Sequence, residues 1–373
     1  MGVGDLRAGR TGPSTADAAR AILVQDAGAG FAARFAAGTG LGALWNGRVV
    51  QRENGPVVAS VLETLAEVVL DQVGMVAAND SVRSSFSVVS GGDLLALDAD
   101  LTVQHRWPLG LAGRGWHASS PGRGLALISG PDDIRLLGGA GQTIWAYSHA
   151  AWSGGFEAGC TWFDAAGEPY AVIPAASSDR CLVIGFDLES GAPLAEAAIR
   201  AAPAVIRPVH HPDGWVGLSE GEGQDAARAW WVRSATSPRG PSRIEVRDAG
   251  WEHWVLSDVD RSGGVIITTP HGGGALAVRS FPDLEVLLSV DPPGDDEFWD
   301  YTACFASEDL IVGKLVGVGE RLVAIDLNGE VHDLAEQERG WLIPAAGNTW
   351  LSATRTTIRR RRLALSYQER YHW

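Results

Sequence analysis

Short apolar stretches alternate with polar turns at a regular interval along most of this chain. From Ser81 onward, an apolar strand, a turn rich in Asp and Gly, and a second strand recur about every 40 to 48 residues. Clear copies are the strings LLALDAD at 94–100, LVIGFDL at 182–188 and LVAIDLNG at 322–329. Short strands bounded by such turns are typical of antiparallel hairpins.

A second hairpin precedes several of these copies and completes a repeat of four strands. Its turns are also polar, as in DAAGE at 164–168 and DRSGG at 260–264. A single four-stranded sheet cannot bury both of its faces, so neighbouring repeats must stack on one another. The pattern therefore predicts an all-β fold, a β-propeller of about seven four-stranded antiparallel blades.

The first ~75 residues differ in pattern and predict a short helix-containing segment. Ser14 and Asp17 have the spacing of a capping box, and a short helix is expected at 18–25. A second helix is expected after Pro56, where apolar residues recur at helical spacing: Val58, Val61, Leu62, Leu65, Val68 and Val69. We expect residues 1–75 to pack on a propeller formed by residues 76–373. A strand at 44–52 or the tail at 367–373 is expected to close the ring.

Three strings carry a resemblance to known proteins. LLALDADLTVQHRW at 94–107, CLVIGFDLESGAPL at 181–194 and RLVAIDLNGEVHDL at 321–334 resemble the outer hairpins of WD-repeat-like and quinoprotein-like propellers. The resemblance spans about residues 81–366 and implies the architecture alone. The chain lacks a Gly-His pair and has a single Trp-Asp pair, Trp299–Asp300, so it departs from true WD repeats. The resemblance to quinoprotein-like propellers implies no quinone in this chain, and we expect no cofactor.

The net charge disfavours some classes of partner, and the cysteine content indicates the cellular compartment. The chain of 373 residues has a formal net charge of −15, which disfavours nucleic acid and anionic membrane surfaces as partners. The one basic run, Arg359–Arg362, is interpreted as an exposed strand whose charges discourage edge pairing. Three cysteines without C-x-x-C spacing fit a reducing compartment. The N-terminus has no apolar leader, and together with the cysteine pattern this feature predicts a cytoplasmic protein.

Aromatic residues recur in phase with the repeat, at the predicted start of each inner strand. Trp116, Phe156, Trp251, Trp299 and Trp341 are separated by 40, 95, 48 and 42 residues, and Trp254 and Tyr301 lie beside two of them. One interpretation is that each aromatic fills the wedge between adjacent blades. The other is a cup of aromatic faces around the channel mouth, suited to a sugar, an aromatic metabolite or a peptide side chain.

Ionisable residues accompany four of these aromatics. His117, Glu157, His253 and Asp300 are candidates for an acid–base set if they converge on the channel. His271 lies in a glycine-rich loop, TPHGGG at 269–274, that is a candidate to fold over a ligand. The string DVDRSG at 258–263 begins like a calcium loop but has Thr269 at the twelfth position, so we interpret it as turn chemistry and expect no metal.

Three functions remain open on this pattern. The first is binding of a small molecule or peptide at a Trp-lined channel mouth. The second is a non-redox enzyme of the cyclase, isomerase, lyase or hydrolase type that uses the same mouth. The third is a scaffold that holds another protein. Propellers host all three functions, so the fold alone does not separate them.

Overall fold

The structure is a computed structural model. It describes residues 60–365 except 81, 110–115, 153–158, 176–179, 202–205, 221–227, 238–239, 252–253, 318 and 335–339. The described residues form seven four-stranded sheets. All pairings within these sheets are antiparallel, which confirms the predicted all-β propeller of seven blades.

Strands are numbered in chain order, and β1 is Ser60–Val69. Blade 1 contains β2 (Val76–Ala78), β3 (Ser85–Ser90), β4 (Asp93–Asp98) and β5 (Val103–Pro108). Blade 2 contains β6 (His117–Ser120), β7 (Leu125–Ser129), β8 (Asp133–Leu137) and β9 (Thr143–Ser148). Blade 3 contains β10 (Cys160–Phe163), β11 (Pro169–Pro174), β12 (Cys181–Phe186) and β13 (Pro193–Ile199).

The remaining blades follow the same order. Blade 4 contains β14 (Ile206–His210), β15 (Trp215–Glu220), β16 (Arg228–Ser237) and β17 (Gly240–Trp251). Blade 5 contains β18 (Trp254–Val259), β19 (Val265–Pro270), β20 (Leu276–Ser280) and β21 (Val286–Val290). Blade 6 contains β22 (Phe298–Phe305), β23 (Leu310–Val316), β24 (Glu320–Asp326) and β25 (Val331–Asp333). Blade 7 contains β26 (Trp341–Ala345), β27 (Thr349–Ala353), β28 (Thr357–Leu365) and β1.

The apolar pattern of each strand follows its depth in the blade. The middle strands β11 and β12 are buried on both faces because a blade packs on either side of them. The outermost strand β13 instead alternates between exposed and half-buried positions. Because every blade has four strands, each inner strand starts at the same face of the propeller. We call this end of the channel the mouth and the opposite end the floor.

Recurrent Asp and Gly residues form the tight turns between strands. In blade 6, the Asp326 carboxylate accepts hydrogen bonds from the backbone N–H groups of Asn328 (2.8 Å) and Glu330 (3.0 Å). Gly329 in the same turn has φ +83°, a conformation that glycine adopts without steric cost. Asp164 in blade 3 makes the equivalent two hydrogen bonds. These turns explain the Asp–Gly signal of the sequence.

The hydrophobic core lies between the blades. The described clusters join neighbouring blades: Val312 and Leu322 of blade 6, for example, pack with Leu342 and Trp350 of blade 7. Inner strands are also tied by hydrogen bonds, as where the backbone N–H of Ser119 in blade 2 donates to the side chain of Asn79 after β2, at 3.0 Å. Each buried Leu or Val side chain contributes about 1.5–3 kcal/mol, so stacking holds the ring together.

The helix predicted over residues 58–69 is wrong, because Ser60–Val69 is strand β1. It pairs antiparallel with β28, with a register shift between Thr64 and Ala66. Leu62 and Val68 pack inward, whereas Leu65 and Val69 are exposed. The apparent helical spacing therefore mixed the two faces of a bulged strand.

Strand β1 supplies the outer strand of blade 7 and closes the ring. This role was predicted for residues 44–52 or 367–373, and both segments lie outside the described residues. The basic run lies on β28, which has a strand on each side, so its interpretation as an edge was wrong. Its cations pair instead across the closure, where Arg359 meets Glu67 and Arg362 meets Glu63, both at 2.6 Å.

The other N-terminal predictions, the capping box at Ser14 and the helix at 18–25, also lie outside the described residues. In the part of the chain that the structure covers, no helix is long and apolar enough to cross a membrane.

Candidate functional site

The channel contains a cavity of about 550 Å³. Its walls come mainly from the inner strands β2, β14 and β26 and from the turn between β27 and β28. The apolar lining includes Val76, Val209, Leu342 and Ile343. We call this cavity the cup. Its volume falls within the range of about 300–1,000 Å³ that is typical of small-molecule sites.

An ion pair crosses the channel at the floor of the cup. Arg83, in the turn after β2 of blade 1, places Nη1 2.6 Å from Oδ1 of Asp258 in blade 5. Its Nη2 donates to the backbone carbonyl of Val259 at 2.8 Å. Blades 1 and 5 are not neighbours in the ring, so this side chain spans the channel at the end where the inner strands finish. A charged contact therefore crosses the floor of the cup.

Two further groups adjust the electrostatics of the floor. Burial raises the pKa of Asp258 to about 6, although Arg83 and the N–H groups of Phe305 and Val259 act against this. Burial also lowers the pKa of His210, which lines the cup, to about 4. His210 is therefore neutral at pH 7, and the floor has little net charge.

Two of the predicted aromatics lie at the mouth. Trp341 begins β26, lines the cup and remains 57% exposed. Trp116, just before β6, also lines the cup, but it is buried against the core of blades 3 and 4. The guanidinium carbon of Arg207, on β14, lies 4.8 Å from the centre of the Trp341 ring. The structure thus brings two indoles and the guanidinium of Arg207 into the same cavity.

Trp254 and Trp299 lie outside the cup lining and pack in wedges between blades. Trp254 is buried in the cluster of blades 4 and 5, with the Arg279 guanidinium 4.9 Å from its ring centre. Trp299 is 2% exposed, and its indole N–H donates to the carbonyl of Val290 in blade 5 at 2.8 Å. The recurring aromatics therefore divide between the two interpretations of the sequence.

His117 is enclosed between blades 1 and 2. Its Nε2 lies 3.2 Å from the carbonyl oxygen of Met75, and its Nδ1 lies 2.9 Å from the hydroxyl oxygen of Ser87. Burial lowers the His117 pKa to about 4, so the ring is neutral at pH 7. A carbonyl only accepts, so Nε2–H donates to Met75 and the Ser87 hydroxyl donates to Nδ1. Both ring nitrogens are thus used in joining two blades.

Asp300 lies in an irregular part of β22. The register shifts between Trp299 and Ala303, opposite Lys314 on β23. Lys314 Nζ lies 2.8 Å from Asp300 Oδ2, 3.6 Å from Glu320 Oε2 and 3.1 Å from the carbonyl of Gly340. Bulges of this kind re-aim side chains, and here the bulge directs a carboxylate to a lysine between blades 6 and 7.

His271 and Tyr301 form a second aromatic contact toward the mouth. Their ring centres are 5.4 Å apart with an angle of 28° between the planes. Tyr301 is 41% exposed and His271 is buried. Neither residue is in the described lining of the cup, so this pair lies apart from Trp341. Phe156, Glu157 and His253 lie outside the described residues, as does the side chain of Trp251.

Sequence reasoning missed the cations of the cup. Arg83 lies in an ordinary polar turn, and Arg207 lies in a strand without a distinctive motif. Asp258 was interpreted as part of a turn, whereas only Asp260 acts so, accepting from the N–H groups of Ser262 and Val265. The positive φ of Arg83, +58°, is visible only in the structure.

Comparison with solved structures supports the architecture. The crystal structure of the β-propeller domain of Cps50 (Swd1) from Myceliophteria thermophila covers 82% of this chain and 100% of that domain, with a TM-score of 0.50 and 10% sequence identity. At that identity the likeness concerns the fold alone. No protein-family model and no curated protein matches the chain. The chain has the fold of a seven-bladed β-propeller. The architectural resemblance predicted from the sequence is confirmed.

Proposed function

We propose that this protein binds a small molecule in the cup, through Trp341, Trp116 and Arg207. The observation that carries the proposal is a cavity of about 550 Å³ with an apolar wall, a floor crossed by Arg83 and a half-exposed indole at its mouth. Ligand sites combine an apolar wall with a few polar groups that fix orientation, and this cavity has that composition. A side chain that spans the floor favours a compact ligand over a peptide that would thread the channel.

Binding is favoured over catalysis by the predicted acid–base set, because the two members that the structure describes lie outside the cup. His117 uses both ring nitrogens between blades, and Asp300 is paired with Lys314. A general acid or base must lie within hydrogen-bond reach of the substrate. Neither side chain is among the described residues that line the cup.

The test is a titration of the purified protein with sugars, aromatic metabolites and short peptides, followed by intrinsic Trp fluorescence and calorimetry. We expect saturable binding of one small-molecule class that is lost in Trp341→Ala. Phe298→Ala is the matched control, because Phe298 is an exposed aromatic on the same face outside the cup lining. Ligand binding by the Phe298→Ala variant is expected to be unchanged.

Other outcomes of this titration contradict the proposal in distinct ways. A ligand whose mass changes during incubation identifies an enzyme. Binding only of peptides, unaffected by Trp341→Ala, places recognition on another surface. The absence of any response favours the scaffold function, in which the propeller holds a protein partner.

A further inference from the structure

The charged side chains in the lining of the cup are all basic. Arg83, Arg207 and Arg355 line it, and the described lining contains no Asp or Glu. This contrasts with the whole chain, which has 45 acidic and 30 basic residues. A basic cavity in an acidic protein gives a local field that attracts anions.

The three cations differ in how they are compensated. Arg83 is neutralised by Asp258, which is fully buried. Arg355 is exposed to solvent at the mouth. Arg207 is the distinctive one, because burial lowers its pKa and the charge of Asp300 acts in the opposite direction. Asp300 is itself hydrogen-bonded to Lys314 at 2.8 Å, so its charge is shared.

The geometry of Arg207 leaves its N–H groups available. Among the described residues its close contact is with the ring of Trp341, which uses the face of the guanidinium. The N–H groups point outward in the guanidinium plane, where they match the two oxygens of a carboxylate. Arg207 is half-buried, and a guanidinium does not lose its proton near neutral pH, so a partly desolvated cation without a hydrogen-bonded anion is unfavourable.

We propose that the ligand of the cup is an organic carboxylate with an aromatic or branched aliphatic body. Arg207 receives the carboxylate in bidentate fashion, Trp341 holds the guanidinium in place, and the wall at Val76, Leu342 and Ile343 contacts the apolar body. This inference rests on the proposed function and adds the charge of the ligand to it.

A carboxylate fits the cup better than a phosphate. A phosphate carries close to two charges and needs several donors. Arg83 is occupied by Asp258 and the Val259 carbonyl, and His210 is neutral at pH 7. Of the two lining guanidinium groups that no described acid pairs with, Arg207 lies beside the apolar wall and Arg355 is exposed at the mouth. A single negative charge at Arg207 therefore suits the largely apolar wall.

The experiment uses matched pairs of carboxylic acids and their primary amides built on phenyl, indolyl and cyclohexyl groups, with inorganic phosphate as a further probe. Each is titrated calorimetrically into the full chain and its variants. We expect acids to bind about 10–100-fold more tightly than their amides, the range expected for charge-assisted hydrogen bonds. Arg207→Met is expected to remove that preference and to leave amide binding within about threefold.

The matched control is Arg247→Met. Arg247 lies on the outer strand of the same blade, with its guanidinium carbon 4.7 Å from the ring centre of Trp215, so it reproduces the stacking outside the cup. Acid binding is expected to be unchanged in this variant. Arg207→Lys retains the positive charge but not the paired N–H groups of the guanidinium, and it is expected to keep part of the preference for acids over amides.

Two failures are distinguishable. Saturable, Trp341-dependent binding of acids and amides with equal affinity, or tighter binding of phosphate than of any acid, overturns the carboxylate inference and leaves small-molecule binding intact. No binding by any acid, amide or phosphate, together with no binding by the sugars and aromatic metabolites of the first titration, overturns both. If Arg207→Met does not fold, the comparison of acid with amide in the unsubstituted protein still tests whether the cup prefers a carboxylate.

Discussion

Arg83 and Asp258 join opposite sides of the propeller through the channel, with 2.6 Å between Nη1 and Oδ1. Asp258 also accepts the backbone N–H of Phe305 at 2.8 Å, so one carboxylate ties blade 5 to both blade 1 and blade 6. The pair crosses the floor of the cup and occupies Arg83, whereas Arg207 and Arg355 line the cup without such a partner among the described residues.

Replacing Arg83 with Met is expected to destabilise the fold by about 3–5 kcal/mol, because Asp258 is left buried without its cation. Urea unfolding at pH 7 measures the change. The double variant Arg83→Met, Asp258→Asn is expected to regain part of that loss. If the double variant loses the sum of the two single losses, the two side chains are not coupled.

The His117 ring is expected to make folding stability depend on pH between about 6.5 and 4. Its folded-state pKa is lowered to about 4, below the unfolded value of 6.5, so its contribution is present above 6.5 and is lost as pH falls. The effect on the free energy of unfolding is at most about 3 kcal/mol.

The measurement compares the protein with His117→Gln across this range. Asp258 acts oppositely, because its raised pKa of about 6 gives stability that is present at low pH and lost as pH rises toward 6. Asp258 and His210 are present in both proteins and cancel in the difference. A gap in stability between the two proteins that is constant from pH 7 to pH 4 contradicts the buried neutral ring.

Trp299→Ala and Trp341→Ala are expected to act on different properties. Trp299 is buried and hydrogen-bonded between blades 5 and 6, so its loss is expected to cost about 3–5 kcal/mol of stability. Trp341 is 57% exposed, so its loss is expected to weaken ligand binding while the thermal midpoint changes little. Equal loss of stability in both variants contradicts the assignment of Trp299 to the wedge between blades and of Trp341 to the cup.

Two adjacent valines distinguish the closing strand from the predicted helix. Val68 packs inward and Val69 is 69% exposed. In a helix with the predicted apolar face both would be buried. In the strand, Val68→Asp is expected to cost about 2–4 kcal/mol and Val69→Asp less than about 0.5 kcal/mol, measured by chemical unfolding.

The blades were predictable because their signals are local. A run such as CLVIGF at 181–186 followed by an Asp–Gly turn identifies a buried strand and its hairpin without reference to the rest of the chain. The closing strand was not predictable in the same way. Its partner, β28, lies nearly 300 residues away in the sequence. A one-residue bulge also interrupts the alternation of β1, so its apolar residues recur at a spacing that resembles a helix.

The site was predictable only in part, for a related reason. The repeat period indicated which aromatics begin inner strands, but not which way each side chain turns at the strand start. Trp299 turns into the wedge and Trp341 into the channel. The pairing of Arg83 with Asp258 joins positions 175 apart, and no spacing rule connects them.

The indole N–H signals of the 15 tryptophans provide the most direct test of the cup as the ligand site. The measurement is a nitrogen–proton correlation spectrum recorded during titration with the tightest-binding carboxylate, with signals assigned from single Trp→Phe variants. We expect the signals of Trp341 and Trp116 to shift with one dissociation constant, while those of Trp107 and Trp350 stay in place. Saturable binding that shifts other indoles and leaves Trp341 unmoved would contradict it.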